Sequence, residues 1–400
     1  MGGKKKWYIL ILMCLGILAA QYSQFLMSQL GMTWLAATGN DNADTAQRFS
    51  TLITAPLIAG AVLSLASGAL VDRFGIKRVL MVSLSVMLTG VTARIWVTNY
   101  YVMFVCMVSI GAVTTFFNAN IMKLAGTWFG TMAAFAIGIF SAVNSVASAF
   151  GTVLGAVFGD NYRAAFISAA VFGAVIWILW AVTPGVDGGK NATLGAAEIE
   201  QKPAIREALA VVLRSRNVWI LAAAMMCVSV AGNAAGLFLP EAFKARGISA
   251  GAAGIATLFG ILGSAAFNLV SPRVIGKFRR PRAALAVIGV IGAACVGFAW
   301  LLELGPLMYF GLFVGGMCSY GLTPVLLQLP LSFAEIGKKY AGTAGGVIAT
   351  IQLGGCVIIP TYLLLPLSHG NNTVFFALEG SLLLIFAAIA FVLPIRSVNS

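Results

Sequence analysis

The chain has 400 residues, 60% of them hydrophobic and 9% charged, with a formal net charge of +13 and a mean hydropathy of +0.96. So little charge cannot cover a water-soluble surface, which excludes a soluble fold and predicts an integral membrane protein. Apolar runs of about 20 residues without strict alternation predict helices rather than barrel strands, so the expected fold class is an all-α membrane protein.

The first run covers 7–32. Its start, "MGGKKKWYILILMCLGILAA", has the basic flank of a signal peptide, but the run is long and lacks small-residue cleavage context, so it reads as an uncleaved helix. No Ser or Thr stands where a myristoylation signal needs one. Gln21, Gln24 and Ser28 fall at i, i+3 and i+7 on one helical face, with Tyr22 beside them.

The second run, 49–70, leads into "GALVDRFGIKRVL", where Asp72 stands with Arg73, Lys77 and Arg78 among Gly68 and Gly75. A helix must end, turn and restart there within about eight residues, and glycines permit both the turn and close helix approach. Run 79–98 carries Arg94, the only base deep in a run; its nearness to the far interface favours snorkelling over a cavity position. Run 100–122 holds Asn118 four residues after Thr114. In run 132–157, Asn144 with Ser141, Ser145 and Ser148 reads as helix packing, and run 162–183 completes the first half.

The polar stretch between Pro184 and Asn217 ends in a short amphipathic segment and is the only loop long enough to be a linker. It divides the chain into 1–183, a cytoplasmic linker 184–216, and 217–400. The second half offers runs 217–240, 250–271, 283–303, 305–328, 341–367 and 373–394. Asn233 follows Ser229 by four, Ser319 and Tyr320 lie mid-run, and Gln352 lies at mid-depth. Glu379 reads as an interfacial residue, while His369 falls in the loop before it and Glu241 and Glu303 at run ends. "NYRAAFISA" is echoed by "NTVFFALEG", and "SPRVIGKFRRPR" echoes the first basic turn, although Ser271 and Pro272 stand where the acid would lie. Such an internal repeat is expected of two bundles that rock around a central site.

With the N-terminus inside, 20 of the 25 Lys and Arg fall on the inner side, leaving Arg48, Arg94, Arg163, Lys244 and Arg246. Both termini are then cytoplasmic, and topology rather than nucleic-acid binding explains the positive charge. The six cysteines lie in apolar runs without paired spacing and read as packing residues. No P-loop, metal-ligand cluster or nucleophile–base pair is visible, so neither an enzyme nor a cofactor is expected.

Gly68, Asp72, Arg73, Gly75, Lys77 and Arg78 match G-x-x-x-D-[RK]-x-G-x-[RK]-[RK], the loop signature between the second and third spans of the major facilitator superfamily, which the chain resembles over its whole length. The resemblance implies twelve helices in two six-helix bundles, alternating access, and a cavity lined by spans one, four, seven and ten. It also implies that Asp72 pairs with the start of span eleven to lock the inner side in the outward-facing state; the alternative is that these charges fix topology alone. Span four has no R-x-x-Q-G and span five no Gly-Pro, which disfavours drug/proton antiport. "QYSQF", "TWFGTMAAFAIGIF" and "EIGKKYAGTAGGV" resemble the oxalate/formate antiporter, monocarboxylate and nitrate/cyanate-related branches, which handle small anions. Those carriers usually present a base on spans seven, eight or eleven, and this chain offers none there.

The candidate substrate-binding residues are therefore Gln21, Tyr22, Gln24, Asn118, Asn233, Tyr320, Gln352 and Arg94, with helix packing as the competing role. The expected function is secondary active transport of a small polar, anionic organic solute by a monomer in the cell membrane, with a proton or an exchanged anion as co-substrate. The alternatives are a transporter-fold sensor or receptor, a channel, and a carrier of a neutral or zwitterionic solute.

Overall fold

A computed structural model describes residues 2–42, 44–129, 132–183, 205–333 and 335–394. Among them the first half forms α1 (Gly2–Ala37), α2 (Thr45–Phe74), α3 (Ile76–Ala93), α4 (Tyr100–Phe129), α5 (Ala133–Val157) and α6 (Tyr162–Val182). The second half forms α7 (Ile205–Arg214), α8 (Arg216–Ala245), α9 (Ala250–Gly276), α10 (Pro281–Phe298), α11 (Pro306–Cys318), α12 (Thr323–Leu327), α13 (Gly337–Ile358), α14 (Leu365–Ser368) and α15 (Asn372–Ala390). Among the described residues twelve segments are long and apolar enough to cross a membrane. They coincide with the twelve apolar runs; the tenth joins α11 to α12, and the eleventh joins α13 to α14.

Those two composite spans depart from regular helix for chemical reasons. A 3-10 turn at Tyr320–Leu322 interrupts the tenth, beside Gly321 and ahead of Pro324. In the eleventh, Pro360 and Pro366 cannot donate to the helix ladder, and a π turn occupies Ile359–Leu364. The tight turn between α2 and α3 is made by Gly75 at φ 85°, a left-handed conformation that explains the glycine in the basic motif.

The chain resolves into two compact units, one of Met1–Asp41 with Ala55–Pro203 and one of Asn42–Thr54 with Ala204–Ser400. In the second, the Ser50 and Thr361 hydroxyls lie 2.6 Å apart, joining the start of α2 to the π turn.

Glycines let helices meet backbone to backbone in each unit. In the first, Gly111 of α4 faces the Pro56 carbonyl of α2, and Gly151 of α5 faces Tyr22 and Phe25 of α1. In the second, Gly316 of α11 faces the Gly260 carbonyl of α9, and Gly355 of α13 faces the Met226 side chain of α8. Each contact recurs roughly 200 residues later, the spacing of an internal repeat. A β-carbon at position 151 would stand 2.8 Å from Phe25 Cβ and 2.9 Å from the Tyr22 carbonyl oxygen. Gly151→Val is thus expected to cost about 1–3 kcal/mol through overpacking, read as a lower melting temperature in detergent; an unchanged melt would show that α1 and α5 can separate freely.

α7 belongs to the second unit, where Glu207 Oε1 accepts from the Tyr340 hydroxyl at 3.0 Å. Beside it Glu335 Oε1 accepts from Ser215 Oγ at 2.7 Å and Asn217 Nδ2 at 2.9 Å, at the N-terminus of α8. Its own backbone amide, followed by the Ser215 hydroxyl, holds the Glu335 pKa below the ordinary glutamate value. A depressed folded-state pKa contributes stability above the unfolded value and loses it as pH falls through the folded one. Melting of the wild type should therefore drop more steeply than that of Glu335→Gln once pH falls below about 4, and parallel curves would remove this contribution.

Candidate solute-binding site

In the first unit, the α1 polar residues diverge. Gln21 Nε2 donates to Asn144 Oδ1 of α5 at 2.6 Å, and the Tyr22 hydroxyl lies 2.6 Å from Ser168 Oγ of α6. Gln24 and Ser28, expected on the Gln21 face, are both buried, and Ser28 Oγ donates to the Phe25 carbonyl of its own helix. Asn118 is exposed and donates to the Thr114 carbonyl at 2.8 Å. Gln21 and Asn144 are half-buried.

The second unit gathers its polar groups. Gln352 Nε2 of α13 donates to Ser229 Oγ of α8 at 2.6 Å. Asn233 Nδ2 donates to the Ser229 carbonyl at 3.0 Å and contacts Cys356 Sγ at 3.6 Å. The Tyr320 hydroxyl reaches Asn233, and Gly232 lets the Tyr320 ring approach α8: a β-carbon there would stand 2.7 Å from Tyr320 Cβ. Asn233, Tyr320 and Gln352, from three different spans, thus form one cluster with Ser229 and Cys356. Helical spacing pairs Asn233 with Ser229, but nothing local marks Cys356, Asn144 or Ser168 as their partners.

Arg94 does not snorkel. It caps α3 with an exposure of 0%, its Nη1 donating to the Ser23 carbonyl at 2.9 Å and contacting Met107 Sδ at 3.6 Å. The guanidinium lies 4.6 Å over the Phe166 ring, and its Nε and Nη2 have no partner. In the second unit Trp300, just after α10, lies 5.0 Å from Phe376 and is covered by the Arg246 guanidinium at 5.6 Å. Glu379, expected at the interface, is likewise enclosed by protein. Depth along a helix does not reveal which neighbours wrap a side chain, and in both cases those neighbours lie on other helices.

In the basic turn, Arg73 and Arg78 are exposed, Arg73 lies 5.2 Å over the Phe74 ring, and Lys77 Nζ donates to the Ala181 carbonyl at 3.3 Å. The surroundings of Gly68 and of the Asp72 side chain lie outside the described residues.

Among the described residues, twelve membrane-length segments, with polar groups concentrated on α1, α8 and the helices beside them, define a multi-pass membrane protein of the transporter class. The chain belongs to the major facilitator superfamily, whose model matches residues 7–360. No curated protein sequence matches it. Among solved structures it is similar to a D-xylose-proton symporter, with 15% identity, a TM-score of 0.72 and coverage of 98% of this chain and 99% of that one. It is also similar to the proton:xylose symporter XylE bound to 6-bromo-6-deoxy-D-glucose, at 16% identity and a TM-score of 0.71, covering 98% and 97%. The inward-open xylose transporter XylE from E. coli is 14% identical, with a TM-score of 0.71 and coverage of 99% and 98%. At such identities the likeness establishes the fold.

Proposed function

We propose that this protein is a secondary carrier that moves a small, hydrogen-bonding solute of no net charge by alternating access. One observation carries the reading: the partly or fully exposed mid-helix groups Gln21, Asn118, Asn144, Asn233 and Tyr320 are all neutral amides or a phenol, whereas Arg94 and Glu379 are sealed inside their units. Amides and phenols donate and accept in the pattern a polyol or a zwitterion needs, and they offer an anion no full charge. The carrier sits in the cell membrane with both termini inside, and the division at 184–216 separates its two bundles. Asp72 keeps the locking role its motif implies.

Substrate-stimulated counterflow in proteoliposomes tests the proposal, with a panel of pentoses, hexoses, neutral amino acids and small carboxylates. Exchange of a neutral solute supports it, exchange confined to carboxylates overturns the solute class, and no exchange by any solute favours a sensor. Asn233→Ala should raise the half-saturation concentration about 2- to 12-fold, as expected for one lost neutral hydrogen bond of 0.5–1.5 kcal/mol. An unchanged constant in a normally folded variant would assign Asn233 to packing.

A second reading, an anionic solute, has one observation in its favour. Arg94 holds two unpartnered nitrogens, Nε and Nη2, whose N–H groups an anion would satisfy if the unit opened around them.

A further inference from the structure

Among the described residues Glu379 is the one carboxylic acid completely enclosed by protein, with an exposure of 0%. It lies in the second turn of α15, one turn beyond Phe375, whose ring meets Phe238 of α8 at 5.1 Å. That register sets the carboxyl against the backbone of Ala235. The Ala235 amide, the backbone donor that faces the carboxyl, is committed to the α8 ladder, and neither carboxyl oxygen makes a hydrogen bond of ordinary geometry. On the adjoining face α15 is pressed onto α10, where a β-carbon at Gly380 would stand 2.6 Å from the Ala293 carbonyl oxygen.

Among the described residues no cation pairs with the Glu379 carboxyl. The charged and titratable groups on the elements packed against α15 are Arg216, Cys227, Glu241 and Lys244 of α8, Arg282 and Cys295 of α10, Tyr362 of the π turn and His369 after α14. Lys244 pairs with Glu241 at 3.5 Å beyond Pro240, and Arg282 Nε donates to the Leu393 carbonyl at 2.9 Å. Arg246, just after α8, donates to the carbonyls of Trp300, Leu301 and Leu302. Tyr362 and His369 are exposed. An ionised carboxylate placed among alanine, glycine and phenylalanine without donor or counter-charge is strongly disfavoured, while the neutral acid is not.

We propose that Glu379 is a proton-binding site of this carrier. In the packing described here it holds a proton on one carboxyl oxygen; when water reaches it between α8 and α15, the O–H bond breaks, the proton passes to water and a carboxylate remains. Only the use of that proton in coupling rests on the transport reading; the protonation itself belongs to the packing and is tested apart from transport.

The test is infrared spectroscopy of the wild-type protein in phosphatidylcholine vesicles, titrated from about pH 6 to about pH 9, the upper end of the range in which buried glutamates release protons. The expected result is a carboxylic-acid carbonyl band that shifts on carbon-13 glutamate labelling, is absent in Glu379→Gln and is lost reversibly as pH rises. Should Glu379→Gln fail to fold, displacement of the band in Glu379→Asp assigns it. A band missing at every pH overturns the proposal by making Glu379 an ionised group. One that persists unchanged to the alkaline end overturns it too, by making Glu379 a fixed neutral packing residue. A titrating band without counterflow of any solute would sink the transport reading and leave the proton site standing; counterflow without the band would do the reverse.

Discussion

Arg94→Met should melt at or above the wild-type temperature, whereas Arg94→Ala should lose about 2–5 kcal/mol, the usual cost of emptying a large buried site. The two variants remove the same charge and differ in the volume they leave. In the wild type the guanidinium has one carbonyl, one thioether and one aromatic face for partners, and two of its nitrogens have none. A buried ion so incompletely satisfied is commonly replaced by an apolar residue of similar volume at no loss of stability, because desolvation exceeds what the remaining contacts return. Melting curves in detergent give the order. If Met proves as damaging as Ala, the Ser23 carbonyl and the Phe166 face stabilise the charge more than the orphaned nitrogens imply. Uptake measured on the same variants separates the two readings of the solute. A stable Arg94→Met that still carries a neutral solute supports the hydrogen-bonding site. A stable variant that has lost all uptake returns Arg94 to the role of an anion ligand.

Replacing Gly316 or Gly263 with Val should abolish recovery of monodisperse protein. A β-carbon at Gly316 would run into the Gly260 carbonyl oxygen, and one at Gly263 into the carbonyl oxygen of Phe313, so the crossing of α9 and α11 is closed from both sides by backbone. Unlike a flexible side chain, a helical backbone cannot step aside, so the helices must separate and their neighbours lose contact with them. Gly251 supplies the control, since a β-carbon there meets nothing within 4 Å, and Gly251→Ala should be recovered at the wild-type level. Size-exclusion profiles of the three variants decide the matter; a sharp monomeric peak for Gly316→Val would mean that the crossing is looser than its contacts indicate.

The helices were legible because twenty apolar residues in a row leave the backbone few alternatives in lipid. Their neighbours were not. Periodicity marks Asn233 with Ser229, but Gln352 and Cys356 lie more than a hundred positions away and are brought to them only by the packing of α13 on α8. The same limit misplaced Arg94 and Glu379, whose distance from a helix end says nothing of the Phe166 ring or the α8 backbone that encloses them. Pro360 and Pro366 are plain in the sequence, yet whether the freed backbone kinks, tightens or widens into a π turn depends on what packs around it. With 45 glycines in the chain, composition cannot pick out those at helix crossings.

Those crossings also have a mechanical meaning. Where Gly260, Gly263 and Gly316 bring α9 and α11 together the contact is backbone on backbone, flanked by the Phe259 and Tyr309 rings stacked at 4.7 Å, whereas the seam between α8 and α15 is rich in phenylalanine. Sliding one helix along another ordinarily requires knobs to leave their holes and rotamers to change together. A bare backbone seam needs neither, so displacement along it by a fraction of a residue meets little friction. The second unit therefore has an uneven stiffness: rigid where aromatic rings interlock, between α8 and α15 and at the Phe259–Tyr309 stack, and more compliant in shear at the glycine crossing of α9 and α11 itself.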